Sequence, residues 1–187
     1  MFGPMDPPDM AVRKRYIRME SVMIAHHASE ALLRLFFAHV EHEEYPWLGM
    51  SASTGFPEFK AKVDAAMKRG FDREQIAAVF LGGESPTDAC IQLSDAEFED
   101  AIDALEMLLR DAGGSFLGES FLYNAVKHGV TGVAIDDDDA QVAFRGDDGK
   151  QATLHKGPLH IYLHKKAFPN APKTEPEWFY SAHAHPT

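Results

Sequence analysis

The feature that most constrains this fold is a change of hydrophobic period near Val130. Before it, apolar residues recur at helical spacing, and after it they alternate with polar residues as they do in strands. With 187 residues, of which 45% are hydrophobic, the chain is long enough to bury a sizeable core. We therefore expect an α+β fold, in which a bundle of about five helices precedes a small antiparallel β-meander.

The first and longest predicted helix covers residues 10–44. It ends at the Tyr45–Pro46 step, because a residue that precedes proline is disfavoured in the α region. An apolar stripe at helical spacing predicts the side that joins the bundle core, and its members are Ile17, Ile24, Ala28, Leu32, Leu35 and Phe36. After the proline, Trp47 and Leu48 are expected to form a hydrophobic plug.

Local signals place the other helices. A second helix is predicted over 57–69. The third and fourth begin with capping boxes, in which two side chains satisfy free backbone N–H groups at the helix start, formed by Asp72 with Gln75 and by Ser94 with Glu97. Glycines are expected to end the helices, at Gly70, Gly82–Gly83, Gly113–Gly114 and, for the fifth helix, Gly129.

The strands divide the rest of the chain. Alternation predicts strands at 131–135, 141–144, 152–155 and 159–164, and Asp147-Asp148-Gly149 is the strongest hairpin turn signal. The predicted organisation has four parts: a disordered segment over 1–9, a helical bundle over 10–130, a β-appendage over 131–166 and a tail over 167–187. The tail contains prolines and aromatic residues, and we expect it to lie across the surface or against the bundle.

Charge, cysteine content and hydropathy narrow the class of protein. A formal net charge of −11 argues against broad electrostatic capture of a phosphate backbone. The single cysteine, Cys90, excludes an internal disulfide framework and fits a reducing compartment. No apolar stretch reaches the roughly 18–20 residues that span a bilayer, and the N-terminus lacks a signal-peptide pattern. We expect a cytoplasmic protein with no membrane partner.

Three polar side chains converge at the end of the fifth predicted helix. Asn124, Lys127 and His128 are three or four residues apart, so they project from neighbouring faces of one turn. A histidine at a helix end, among unsatisfied carbonyls, can act as acid or base near neutral pH. These three residues form the candidate catalytic site. The alternative is a structural Lys–His pair that the helix dipole favours.

The helix layout over 10–130 and the ending Tyr123-Asn124-Ala125-Val126-Lys127-His128 resemble HEPN-type helical bundles. The resemblance implies a regulatory or binding module for a partner protein, RNA or a nucleotide, which pairs with a second copy as a homodimer. Ribonucleases of that group carry an arginine with four to six residues between it and the histidine, and positions 121–123 hold none. A metal-independent ribonuclease or toxin that uses His128 is therefore the alternative function.

A second, charged stripe follows the first predicted helix. Glu20, His27, Arg34 and Glu41 recur every seven residues, and Glu30 lies four residues before Arg34, an order of charges that favours a helix. Because His27 lies on this stripe and could face the candidate site, the predicted binding residues are His27, Glu30, Arg34 and Tyr123. A solvated helix face is the simpler interpretation.

Histidine and glutamate pairs leave a metalloprotein as a further alternative. The pairs with ligand spacing are His26 with Glu30, His39 with Glu43, and His160 with His164. The later helices supply no Glu-x-x-His motif of the kind that completes a carboxylate-bridged diiron bundle. We therefore predict no metal site and no cofactor.

Overall fold

The computed structural model describes residues 9–42, 44–51, 54–118, 120–127, 132–135, 138–146, 149–165 and 178–184. These residues are mainly helical, with antiparallel strands towards the C-terminal end, which confirms the predicted α+β class. The described part contains six helices: α1 (Met10–Glu41), α2 (Pro46–Ser51), α3 (Phe56–Arg69), α4 (Arg73–Leu81), α5 (Asp95–Gly118) and α6 (Ser120–Lys127). None of them is long and apolar enough to cross a membrane.

The strands form two antiparallel sheets. They are β1 (Gly132–Ile135), β2 (Gln141–Arg145), β3 (Gln151–Lys156), β4 (Leu159–Lys165) and β5 (Trp178–Ala184). One sheet has the order β1–β4–β5, and β2 and β3 form the other. The β2–β3 hairpin therefore lies in sequence between β1 and β4, which pair with each other. In the first sheet Ala134 lies opposite His160 on one side, and His160 lies opposite His183 on the other. The aromatic run that we expected in a surface tail instead forms β5, because its backbone pairs along β4.

The chain divides into two compact units. One comprises residues 25–120, and the other combines residues 1–24 with 121–187. In the second unit, Leu122 and Ala125 of α6 pack with Tyr162 of β4, and Val22 of α1 adds to this small core. The predicted bundle over 10–130 is therefore divided between the two units, since α6 belongs with the strands.

The core of residues 25–120, the helical unit, is rich in phenylalanine. Its fully or nearly fully buried side chains include Leu33, Phe36, Phe59, Val63, Ile76, Phe98, Leu109 and Phe116. On α1 the buried face starts at His26 and continues through Leu33, Phe36 and Phe37. The predicted core stripe is wrong for Ile17 and Ile24, both of which are more than half exposed, and for Ala28 and Leu35, which are also exposed. The aromatic side chains, which bury more area than the aliphatic ones, decide which face turns inward.

Both predicted capping boxes lie at helix starts. The Asp72 carboxylate accepts hydrogen bonds from the backbone N–H groups of Glu74 (2.9 Å) and Gln75 (3.3 Å). At α5 the Glu97 carboxylate accepts from the backbone N–H of Ser94 (2.9 Å) and from its hydroxyl (2.6 Å), and the Glu97 N–H donates to the Ser94 hydroxyl (3.4 Å). These hydrogen bonds hold the pKa of Glu97 below its ordinary value.

The prediction that Gly113–Gly114 ends a helix is wrong. Helix α5 continues through both residues to Gly118, and Gly113 is buried. A Cβ atom on Gly113 would lie 2.5 Å from the sulfur of Met67 on α3. Gly113 therefore serves close packing of α5 against α3, whereas Gly82, with φ of 79°, ends α4 as predicted.

The capping box makes a testable prediction about stability and pH. Replacing Ser94 with alanine should lower the free energy of unfolding by about 1 kcal/mol at neutral pH, the usual cost of losing an N-cap. A lowered pKa means that folding favours charged Glu97, so the part of this effect that depends on the Glu97 carboxylate is present above the ordinary carboxyl pKa and is lost as pH falls through the lowered value. Urea denaturation of wild type and Ser94→Ala across acid pH should show the difference narrowing; a constant difference would contradict the assignment.

Candidate functional site

The predicted catalytic cluster is described only in part. Asn124 and Lys127 are exposed on α6, while His128 lies outside the described residues. The Lys127 ammonium lies 5.6 Å from the centroid of the Tyr123 ring, which is itself buried. The described residues of the cluster thus provide an exposed amide and an amine that lies against an aromatic ring of its own helix.

Two of the predicted binding residues of α1, Glu30 and Arg34, form an ion pair with each other. Arg34 Nε donates to Glu30 Oε1 (2.9 Å), and Arg34 Nη2 lies 2.8 Å from the same oxygen. The guanidinium carbon lies 4.1 Å from the centroid of the Phe59 ring. His27 is exposed on the same helix. Arg34 is therefore neutralised by a neighbouring carboxylate and held over an aromatic ring.

A small cavity of about 100 Å³ is lined by Arg34, Lys62 and His42, among other residues. The Lys62 ammonium is ion-paired with Glu41 and lies 4.7 Å from the centroid of the Phe37 ring. Each of the two cations thus has its own carboxylate partner. A phosphate that entered this cavity would have to compete with both carboxylates, which makes the cavity a poor phosphate site.

A larger cavity, of about 440 Å³, has an acidic lining. It is formed by His39, Val40, Asp72, Glu74, Gln75, Ala78, Val79 and Glu84. Its carboxylates would repel a phosphate group, and the Asp72 carboxylate is already engaged as the cap of α4. Neither cavity has the charge that an RNA or nucleotide ligand requires.

The histidine pairs do not form a metal site in the described part of the chain. No group of three or more His, Cys, Asp or Glu side chains among the described residues is placed to hold a metal ion. His26 is completely buried, and its ring stacks on Phe116 with centroids 5.3 Å apart. His160 is also buried, in β4, whereas Glu43 and the side chain of His164 lie outside the described residues. His26 is therefore a core residue of the helical unit.

No family model, curated protein or solved structure matches this chain.

An apolar surface around α2 escaped the sequence analysis. No described residue of α2 is buried, and large apolar side chains of this segment stand in solvent. We define the α2 surface as Tyr45, Trp47, Leu48, Met50 and Phe56, of which Trp47 is 64% exposed. The rings of Tyr45 and Trp47 meet edge to face with centroids 5.5 Å apart. The predicted hydrophobic plug at Trp47 and Leu48 is wrong, because these side chains fill no part of the core.

Gly49 explains why these side chains point outward. A Cβ atom on Gly49 would lie 2.7 Å from Cδ2 of His42 and 2.9 Å from Cβ of Ala38, both close to the end of α1. The glycine side of α2 therefore rests on α1. Trp47, two residues earlier, is about 200° away around the helix. A glycine inside the apolar run Trp47-Leu48-Gly49-Met50 was the available sequence signal of this close approach.

The neighbouring histidines His26 and His27 offer a matched pair of substitutions. His26→Ala should lower the free energy of unfolding by about 2–4 kcal/mol, because it leaves a cavity beside Phe116. His27→Ala, at an exposed position, should change it by no more than about 0.5 kcal/mol. Urea denaturation followed by circular dichroism measures both. Equal losses for the two variants would contradict the core assignment of His26.

Proposed function

We propose that this chain is a non-catalytic binding module that docks a partner protein on the α2 surface. The observation that carries the proposal is the exposure of Trp47, Leu48 and Met50 on a helix with no buried residue. Contiguous apolar side chains of this size in solvent mark interaction sites more often than isolated exposed residues do. Tryptophan and tyrosine are also enriched among the residues that dominate binding energies.

The magnitudes favour a partner larger than a small peptide. Complete burial of Trp47 and Leu48 would contribute about 1.5–3 kcal/mol each, whereas association costs about 4–15 kcal/mol. The α2 surface must therefore be the centre of a wider interface. Exposed Glu41, His42 and Glu44 lie next to it in sequence and supply a polar rim. Because the chain carries a net charge of −11, a partner with basic residues around an apolar groove fits best.

The electrostatics of the described residues favour a protein over RNA or a nucleotide. Arg34 and Lys62 are paired with Glu30 and Glu41, and the larger cavity is acidic. The HEPN-like, regulatory and cytoplasmic character expected from the sequence remains part of the proposal; the helical layout and the single cysteine support it. No contact among the described residues adds support for a ribonuclease that uses His128.

The test compares two leucines of similar exposure. Leu48, in the α2 surface, is 54% exposed, and Leu108, on α5, is 48% exposed. Tagged wild-type protein should retain one stoichiometric partner from its source cells, and calorimetry with that purified partner should give the affinity. We expect Leu48→Ser to weaken binding at least tenfold, which corresponds to about 1.4 kcal/mol, and Leu108→Ser to change it less than twofold.

Two results would contradict this function. Equal affinities for the two serine variants would show that the α2 surface is not the docking site. Retention of RNA in place of a protein, with release by added ribonuclease, would support the nucleic-acid alternative. Circular dichroism should show both variants folded, since each substitution replaces an exposed side chain.

A further inference from the structure

The larger cavity of the helical unit adjoins a second cavity. The second one has a volume of about 250 Å³ and lies where the end of α1 passes the end of α3 and the start of α4. Val40, Asp72 and Gln75 line both cavities, so the two are neighbours, and we call them together the α1–α4 groove. At about 440 Å³ the larger cavity alone is within the range of about 300–1,000 Å³ that is typical of ligand pockets.

Apolar side chains line both parts of the groove. They include Val40 and Val79 in the larger cavity, and Phe36, Phe37 and Phe71 in the smaller one. The three phenylalanines are buried in the core, whereas the two valines are only half-buried. A hydrocarbon chain in the groove would remove the exposed parts of the valines from water, which favours binding.

Charged side chains without partners line the two cavities, with opposite signs. Arg69 lines only the smaller cavity, and Glu74 and Glu84 line only the larger one. Among the described residues, none forms an ion pair or hydrogen bond with the side chain of any of these three. Arg69 lies five residues before Glu74, but the chain turns between them at Gly70, with φ of 93°, and the two do not pair.

The other charged side chains of the groove are already engaged. Lys62 is ion-paired with Glu41, and Asp72 accepts hydrogen bonds from two backbone N–H groups at the start of α4. The groove therefore offers a ligand the Arg69 guanidinium in one cavity and two carboxylates in the other. A ligand with a single charge, of either sign, would leave one side of the groove without a partner.

We propose that the α1–α4 groove binds a small zwitterion whose amino and carboxylate groups are separated by a hydrocarbon chain. The planar guanidinium of Arg69 receives the carboxylate, which such a group can hold through two parallel hydrogen bonds. The ammonium group lies beside Glu74 and Glu84, and the hydrocarbon covers Val40 and Val79. The groove shares no residue with the α2 surface, so either inference can fail without the other.

Helix-end electrostatics explains only part of this arrangement. Arg69 lies in the last turn of α3 and Glu74 in the first turn of α4, where their charges favour the helices. Glu84 follows the end of α4, so no helix end accounts for it. Stabilisation of helix ends also requires no cavity between the opposite charges.

Matched probes test the two charges separately. Calorimetry of the full chain would use aminobutanoate, aminohexanoate and aminooctanoate, each with its amino group at the chain end. For each of them, the alkylamine and the fatty acid of equal length are the single-charge analogues. At least one amino acid should bind, and about tenfold more tightly than either of its analogues, because each analogue lacks one charge-assisted contact.

Variants that remove charge assign each end of the ligand. Arg69→Gln should weaken binding of that amino acid about tenfold and change alkylamine binding less than twofold. Glu74→Gln combined with Glu84→Gln should weaken binding of the amino acid and the alkylamine, and change fatty-acid binding less than twofold. Lys68→Gln and Glu58→Gln are the controls, because neither residue lines the groove, and both should change every affinity less than twofold.

Three results would overturn the proposal. The first is that none of the three amino acids binds at roughly 10 mM. The second is that the tightest amino acid and either of its analogues bind with equal affinity. The third is that a control variant loses as much affinity as the groove variants. Circular dichroism should show all variants folded, since every substituted side chain belongs to an exposed residue.

Discussion

The ring of Phe116 ties the helical unit together. It is completely buried, and three rings from two other helices close on it: His26 of α1, and Phe56 and Phe59 of α3, with centroids 5.3–5.6 Å apart. Aromatic pairs at this separation stabilise a core beyond the area that they bury. Because α1 must present His26 and, further along, Phe36 to this core, its rotation about its own axis is fixed. On the opposite side of α1 within this unit, Ala28, Ala31 and Leu35 are exposed.

That constraint determines where the molecule can interact. Two cavities of the helical unit have charged linings: one includes Arg34 and Lys62, which are paired with Glu30 and Glu41, and the other includes Asp72, Glu74 and Glu84. Large apolar side chains are exposed at Trp47 and its neighbours. Apolar surface is stabilised by association, whereas paired charges gain little from it. The proposed docking site is therefore a hydrophobic surface.

Features that depend on neighbouring residues could be predicted from the sequence, whereas features that depend on contacts between distant residues could not. The N-cap at Asp72 and the full capping box of Ser94 with Glu97 were predicted correctly, because every atom involved lies within four residues. The role of Gly113 and the inward face of α1 were missed because they depend on Met67 and Phe116, which are distant in sequence. The α2 surface was missed for the same reason. The ion pair between Glu30 and Arg34 follows from their spacing alone, and their binding role stays a prediction; His128 lies outside the described residues.

The central claim is that aromatic packing in the helical unit leaves the α2 surface in solvent, where we propose that a partner protein docks. Hydroxyl-radical footprinting of wild-type protein, read by mass spectrometry with and without the purified partner, tests the core and this surface at once. We expect Phe36 and Phe116 to stay unlabelled throughout, and Trp47 and Leu48 to be labelled in the protein alone and protected in the complex, with Leu108 labelled in both. Labelling of Phe36 in the native protein, or equal labelling of Trp47 with and without the partner, would contradict the account.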